Sequence, residues 1–196
     1  MLNFALAIFL LISTPGPGVL SLAGVGAAFG FKSGLRYLTG LFIGGNLVAL
    51  AVVSGLGALV LANPTIRLVL LGASTCYLLY LAARIALAGS NIAFSPARRQ
   101  PGVRDGLLLQ AVNPKAYVVN TTLFSGFPIF PDAYGLEVAA KFAIINVIWL
   151  GIHFVWLWAG SAVKRMALPP RTQRVINVGM ALAMLAVVGL AAWSAF

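Results

Sequence analysis

The sequence of 196 residues is poor in acidic side chains, cysteine and histidine. It has 3 Asp and Glu against 13 Lys and Arg, and 8% of its residues are charged while 61% are hydrophobic. Soluble domains are about 45–50% apolar and about 25% charged, so this composition excludes an ordinary soluble domain and indicates a membrane protein. The single cysteine, Cys76, excludes an intrachain disulfide. One histidine and one cysteine are too few soft ligands for a zinc or copper site, so we expect no metal and no cofactor.

The net charge of +10 does not indicate nucleic-acid binding. A nucleic-acid-binding domain presents a contiguous basic face. Here the basic residues stand singly or in short groups between apolar segments. We therefore interpret the charge as a determinant of membrane topology and expect no nucleic-acid partner.

Long uncharged stretches predict six membrane-spanning helices. A spanning helix needs about 20 mostly apolar residues, and the length of the chain accommodates six. Arg67 and Arg84 flank the third helix and are expected to reach opposite membrane interfaces. No basic residue precedes the first apolar stretch, which we interpret as a helix rather than a signal peptide. The helices are placed near residues 2–28, 37–62, 66–88, 106–128, 139–163 and 174–195.

Basic residues are concentrated in the first, third and fifth loops. The opposite side has only Arg67 and Lys141, together with Asp132 and Glu137. The positive-inside rule therefore puts the three basic loops in the cytoplasm and both termini outside. Together these loops contain ten basic residues, Lys32, Arg36, Arg84, Arg98, Arg99, Arg104, Lys164, Arg165, Arg171 and Arg174.

Two halves of three helices each are expected within one transmembrane domain, residues 1–196. A cytoplasmic linker, about 89–105, would join repeat 1, about 1–88, to repeat 2, about 106–196. Because three is an odd number, the second half would enter the membrane inverted. Matching positions support this: Thr14-Pro15 with Asn113-Pro114 at an offset of 99, Asn46 with Asn146 at 100, and Arg67 and Gly72 with Arg174 and Gly179 at 107.

Proline motifs interrupt the first and fourth predicted helices near their middles. These motifs are Ser13–Gly18, which contains Pro15 and Pro17, and Asn113-Pro114-Lys115. Proline removes a backbone donor and breaks or kinks a helix. Irregular backbone at membrane depth is tolerated only where protein or a wet cavity satisfies it. Paired interruptions in inverted halves point to a transporter binding site; packing kinks are the alternative.

The same motifs resemble the lysine exporter family, also called the LysE/RhtB family. The resemblance rests on Ser13-Thr14-Pro15-Gly16-Pro17, on Gly72 with Tyr77-Leu78, and on Asp105-Gly106-Leu107-Leu108 followed by Asn113-Pro114-Lys115-Ala116. It implies a secondary transporter that exports amino acids or close derivatives across the bacterial inner membrane in exchange for protons. One departure is Gly18, which stands where many members have Asn or Asp.

Lys115 is the most informative candidate for substrate binding. It lies roughly 13 Å into its helix, and a charged group near the bilayer centre costs at least about 2.5–3.5 kcal/mol. We expect it to attract a substrate carboxylate; the alternative is that its ammonium caps carbonyls freed by Pro15 or Pro17. The predicted substrate-binding residues are Thr14, Pro15, Gly16, Pro17, Asn46, Asn113, Pro114 and Lys115.

His153 is the candidate for proton coupling. Histidine is the side chain that ordinarily changes charge near neutral pH, and no other lies within the spans. A packing or interfacial role is the alternative. Asn46, about 14 Å into the second helix, would bind the substrate or tie to carbonyls near Pro15.

The spans lack a carboxylate to pair with a second substrate ammonium, which favours a small or apolar neutral amino acid as substrate. Two other functions stay open, a passive small-solute channel and a non-transporting membrane assembly subunit. An enzyme is not expected, because no carboxylate pair, metal set or Ser-His-Asp arrangement is available. The expected partners are the substrate and the lipid bilayer, and a second copy of the chain is left open.

Overall fold

A computed structural model describes residues 1–14, 16–87 and 100–193. All regular secondary structure in these ranges is helical, which confirms the predicted all-α class. The helices are α1 Leu2–Ser13, α2 Pro17–Phe29, α3 Phe31–Val53, α4 Leu56–Ala62, α5 Pro64–Ala86, α6 Val103–Val112, α7 Pro114–Gly126, α8 Tyr134–Arg165 and α9 Pro170–Trp193.

The long helices have the length and the surface of membrane spans. Helices α3, α5 and α8 are each long and apolar enough to cross a membrane, and α1 with α2, bent by 55°, passes the same test as one interrupted segment. Large apolar side chains on their outer faces are more than half exposed, among them Leu47, Val147 and Trp158. A continuous apolar surface of this kind is suited to contact with lipid.

Several predicted helix boundaries are wrong. Helix α3 begins at Phe31 instead of 37, because Lys32 and Arg36 are exposed in its first turns and need not end it. It ends at Val53 instead of 62, because Gly55 takes a left-handed conformation (φ +86°) that separates α4. Helices α5, α6, α8 and α9 begin two to five residues before their predicted starts, whereas α5 and α7 end two residues before their predicted ends.

The predicted linker, 89–105, is partly helical. Helix α6 already begins at Val103, with Asp105 in its first turn, while residues 89–99 lie outside the described ranges. Positions 88, 194 and 195 of the predicted helices also lie outside them.

Hydrogen bonds bring the three basic loops to one end of the molecule. The Lys164 ammonium donates to the carbonyl of Ala28 (2.8 Å), and Gln173 donates to that of Ala27 (3.1 Å). The Ser33 hydroxyl donates to the carbonyl of Pro101 (2.9 Å). We call this the basic end. At the opposite end, the start of α1 meets the segment after α7, where the rings of Phe4 and Phe127 lie 5.9 Å apart.

Glycines bring the helices into backbone contact toward the basic end. A Cβ built on Gly40 of α3 would overlap the backbone of Val103, and one on Gly106 of α6 would overlap the carbonyl of Tyr37. Gly160 of α8 meets the carbonyl of Ala23 in the same way. These positions exclude any side chain, so α3 with α6 and α2 with α8 pack tightly at this end.

Arg84 does not reach the interface, contrary to the prediction. Its side chain is completely buried, 0% exposed, and Nη1 lies 3.0 Å from Oδ1 of Asp105. The other carboxylate oxygen accepts the N–H of Gly102 (2.9 Å), and the Tyr77 hydroxyl donates to the backbone carbonyl of Asp105 (2.7 Å). A guanidinium buried by helix packing requires a counter-ion, which a carboxylate predicted to lie in a loop supplies here.

Lys141 is also more deeply placed than the sequence predicts. It lies within α8, in agreement with the predicted helix 139–163, but it is 1% exposed, and its ammonium is 2.7 Å from Glu137 and 2.8 Å from the carbonyl of Phe124. Glu137 in turn accepts the N–H groups of Ile129 and Phe130. The buried Lys141 and the partly exposed Glu137 therefore connect α7, the segment after it and α8 by hydrogen bonds.

Candidate functional site

A cavity of about 90 Å³ lies between the two interrupted helices. It brings together six of the predicted site residues, Thr14, Gly16, Asn46, Asn113, Lys115 and His153. Pro17 and Pro114 occupy the first positions of α2 and α7 and are not part of the lining. Pro15 lies outside the described residues.

The local sequence explains both interruptions. Thr14 and Asn113 have extended ψ angles of 120° and 105°. A residue that precedes proline is pushed out of the helical region, whereas proline itself is well suited to the first turn of the next helix. Each motif therefore ends one helix and begins another, and Thr14, Gly16 and Asn113 at these breaks line the cavity.

Lys115 bridges the two interruptions. Its ammonium donates to the carbonyl of Thr14 at 2.7 Å, the kind of contact that the carbonyl-capping alternative anticipated. Because an ammonium has three donors and one is used among the described residues, two are counted here as able to bind a ligand. The lysine stem lies beside Gly16, where a Cβ would be 3.0 Å from the lysine Cδ.

The beginning of α2 adds to the attraction for an anion. Gly16 provides no side-chain cap, so the first N–H groups of α2 lack the partner that a capping residue would supply. In α7 the corresponding role is taken by Asn113, whose side-chain oxygen accepts the N–H of Lys115 (3.2 Å). Helix N-termini carry partial positive charge and bind carboxylates.

Another part of the cavity wall is apolar. Within the described part of the chain, no carboxylate lines the cavity, and Lys115 is its one Lys or Arg. The apolar side chains of this wall come from α1, α7 and α8 and are Ile12, Val119, Leu123, Phe124, Phe142 and Ile145. The site therefore combines a cationic group with a hydrophobic surface.

His153 is held in one tautomer. It is 3% exposed, its ring stacks on that of Trp149 with centroids 3.5 Å apart, and Nδ1 lies 2.9 Å from the carbonyl of Trp149. Because a carbonyl oxygen only accepts, Nδ1 carries the proton and Nε2 is the atom open to protonation. Gly18 lies opposite Nε2, where a Cβ would be 3.7 Å away, so its missing side chain leaves Nε2 accessible.

Asn46 and Asn146 form a reciprocal amide pair in the cavity wall. Each side chain donates to the other, at 3.1 Å and 2.9 Å. Asn46 also donates to the carbonyl of Phe42 (2.9 Å) rather than to a carbonyl near Pro15. The offset of 100 residues relates these two positions, but pattern matching alone did not predict that they touch.

A second cavity, of about 270 Å³, lies toward the opposite end between α3, α7 and α8. Phe124 lines both this cavity and the central one. Phe124 therefore lies between the central site and a larger cavity at that end.

Comparison with known proteins assigns the chain to a family. The family described as LysE type translocator matches residues 9–194. This chain is a member of the LysE translocator family. The match confirms the resemblance seen in the proline motifs and favours transport over catalysis.

One relative of the translocator is the leucine efflux protein of Enterobacter sp. (strain 638). The two chains are 24% identical over 199 residues, which cover 97% of the translocator and 92% of the relative. No solved structure matches the chain.

Proposed function

We propose that this translocator exports a neutral aliphatic amino acid, such as leucine, across the bacterial inner membrane in exchange for protons. The observation that carries the proposal is the central cavity, in which Lys115 and the uncapped start of α2 face the same space as an apolar wall. The similarity to the leucine efflux protein of Enterobacter adds support for leucine as the substrate to test.

The cavity suits the two ends of such a substrate. The carboxylate binds the two free donors of Lys115, and the aliphatic side chain packs against Leu123, Phe124 and Ile145. A lysine-like substrate would leave its second ammonium against this apolar wall without a counter-ion, which is costly. Neutral aliphatic amino acids are therefore favoured over dicationic ones.

The inverted repeat on which alternating access would depend is supported by contacts between equivalent positions. In an inverted repeat, residues that lie on the pseudo-two-fold axis meet their own equivalents. Asn46 meets Asn146, and Lys115 meets Gly16, at offsets of 100 and 99 residues. We propose six spans in two inverted repeats, with the interrupted helices at the centre.

The two ends of the molecule differ in how tightly the helices pack. The glycine contacts and the Arg84–Asp105 pair pack the basic end, whereas Phe124 stands between the central and second cavities. The positive-inside rule puts the basic end in the cytoplasm and the termini outside. In this arrangement the cytoplasmic side is closed and the substrate leaves past Phe124.

Uptake of labelled leucine tests the proposal. The purified protein is reconstituted in vesicles, and the flux measured is that of molecules whose cytoplasmic face points outward. An antiporter accumulates leucine against its gradient when the vesicle interior is made acidic, and accumulation stops when the pH gradient is dissipated. Leucine flux that only equilibrates, with or without the pH gradient, would contradict antiport and favour a passive channel. Absence of flux from a folded protein would favour a non-transporting subunit.

A further inference from the structure

The amide pair in the cavity wall keeps unused hydrogen-bonding capacity. Asn46 engages both of its N–H donors, with Asn146 and with the carbonyl of Phe42, and Asn146 engages one of its own with Asn46. An amide oxygen has two lone pairs, and each of these oxygens accepts one hydrogen bond within the pair. Two neighbouring acceptors therefore remain at one place in the lining.

A zwitterionic substrate needs acceptors of this kind. Its α-ammonium has three donors, and a buried ammonium without partners is costly. Other oxygens in the lining also have a second lone pair, but the Thr14 carbonyl already accepts from the Lys115 ammonium, whose charge repels a second ammonium. The Asn113 and Gln110 side-chain oxygens accept hydrogen bonds at the break between α6 and α7. Carboxylates are absent from the lining in the described part of the chain.

We infer that Asn46 and Asn146 together bind the α-ammonium of the substrate and so select amino acids over other carboxylates. This inference rests on the proposed function, because it assigns the second polar group of the same substrate. The reciprocal hydrogen bonds join α3 to α8 and hold the two oxygens side by side, which a single amide does not achieve. Asn120 of α7 also lines the cavity, with its amide nitrogen bonded to the carbonyl of Ala116, and provides a matched control.

Leucine and its 2-hydroxy analogue, 2-hydroxy-4-methylpentanoate, test the inference. They share the carboxylate and the side chain and differ only at the ammonium. Equilibrium binding to the purified protein in detergent is measured for both ligands. The wild type is expected to prefer leucine by about 10- to 100-fold, the range for hydrogen bonds that involve a charged group.

Three variants identify the source of this preference. Asn146→Leu is expected to weaken leucine binding about tenfold and to leave the hydroxy acid unchanged. Asn146→Asp puts a carboxylate beside the ammonium and is expected to increase the preference for leucine, which keeps the test decisive if Asn146→Leu does not fold. Asn120→Leu is expected to retain the wild-type preference.

Equal weakening of both ligands by Asn146→Leu, or an unchanged preference in Asn146→Asp, would overturn the inference and leave the pair with a structural role only. A loss of preference in Asn120→Leu instead would assign the ammonium to the other amide and overturn it as well. Absence of leucine binding by the wild type would overturn the proposed function, and the inference with it.

Discussion

Lys115 reaches the carbonyl of Thr14 because no side chain occupies the space at Gly16. A Cβ at Gly16 would lie 3.0 Å from Cδ and 3.2 Å from Nζ of Lys115. Gly16→Ala therefore displaces the lysine side chain, and a side chain held off its rotamer costs about 0.5–1.5 kcal/mol. We expect leucine affinity to fall by roughly 2- to 10-fold, measured by equilibrium binding to the purified protein.

The control for this prediction is Gly72→Ala in α5, since nothing lies within 4 Å of a Cβ at that position. This variant is expected to bind leucine like the wild type. Equal affinity in the Gly16 and Gly72 variants would show that the position of Lys115 does not depend on Gly16.

His153 is the residue on which proton coupling is predicted to depend. Its Nε2 is the one ring nitrogen left to take up a proton, because Nδ1 donates to Trp149. In reconstituted vesicles, His153→Gln, which cannot take up a proton, should abolish leucine accumulation driven by a pH gradient. Leucine–leucine exchange, which moves no net protons, should continue.

Vesicles of the same preparation without a pH gradient provide the control. Unchanged gradient-driven accumulation in His153→Gln would assign the histidine to packing against Trp149, the alternative left open by the sequence.

At the residue scale, the sequence predicted what depends on local chemistry. A proline in the middle of an apolar segment excludes the residue before it from the helical region, so Thr14, Asn113 and Lys115 were identified with the cavity from their motifs alone. The partner of Arg84 was missed because Asp105 is 21 residues away and meets it only through helix packing. The contact between Asn46 and Asn146 was missed for the same reason.

Close packing between α3 and α6 depends on small residues. A side chain at Gly106 would overlap the carbonyl of Tyr37. Overpacking of this kind typically costs about 1–3 kcal/mol, so Gly106→Ala should lower the thermal unfolding temperature in detergent. Gly151→Ala, at an exposed position of α8 with nothing within 4 Å, should keep or raise it.

If both glycine variants unfold at the wild-type temperature, α3 and α6 are not in backbone contact, and the tight packing at the basic end would be contradicted.

The ion pair between α5 and α6 is expected to be sensitive to the loss of one partner. Asp105→Asn leaves the Arg84 guanidinium buried without a counter-ion, and removal of one partner of a buried pair costs about 3–5 kcal/mol. The double variant Arg84→Leu with Asp105→Asn should recover part of this loss, because no charge is then buried. Thermal unfolding of the wild type, both single variants and the double variant measures the coupling.

Strictly additive effects of the two substitutions would contradict a direct interaction between Arg84 and Asp105.

Element boundaries were predicted only approximately, for physical reasons. The absence of charge locates apolar segments, but charged side chains such as Lys32 and Arg36 are tolerated in helix ends at an interface, so α3 begins earlier than the uncharged stretch. The break after Val53 depends on one glycine, Gly55, with positive φ. Nothing in the hydropathy of the segment 37–62 distinguishes this glycine from the helical Gly40 and Gly44.

The arrangement of the whole molecule follows from the distribution of charge and proline. The sequence predicted that the first, third and fifth loops lie together, and contacts such as Ser33 with Pro101 and Lys164 with Ala28 bring the ends of these loops to one end. The difference in packing between the two ends of the molecule was not predictable, because backbone contacts at Gly40, Gly106 and Gly160 depend on how the helices cross. These contacts make the basic end the more tightly packed.

The central claim is that the two interrupted helices and Lys115 form an amino-acid site. Equilibrium binding of radiolabelled leucine to the purified protein tests it most directly, with Lys164→Met as the matched control, since Lys164 also donates to a carbonyl near a helix C-terminus, outside the cavity. Saturable binding by the wild type and Lys164→Met, weakened roughly 10- to 100-fold in Lys115→Met, is the predicted result. No saturable binding by the wild type, or equal affinity in all three proteins, would contradict the claim.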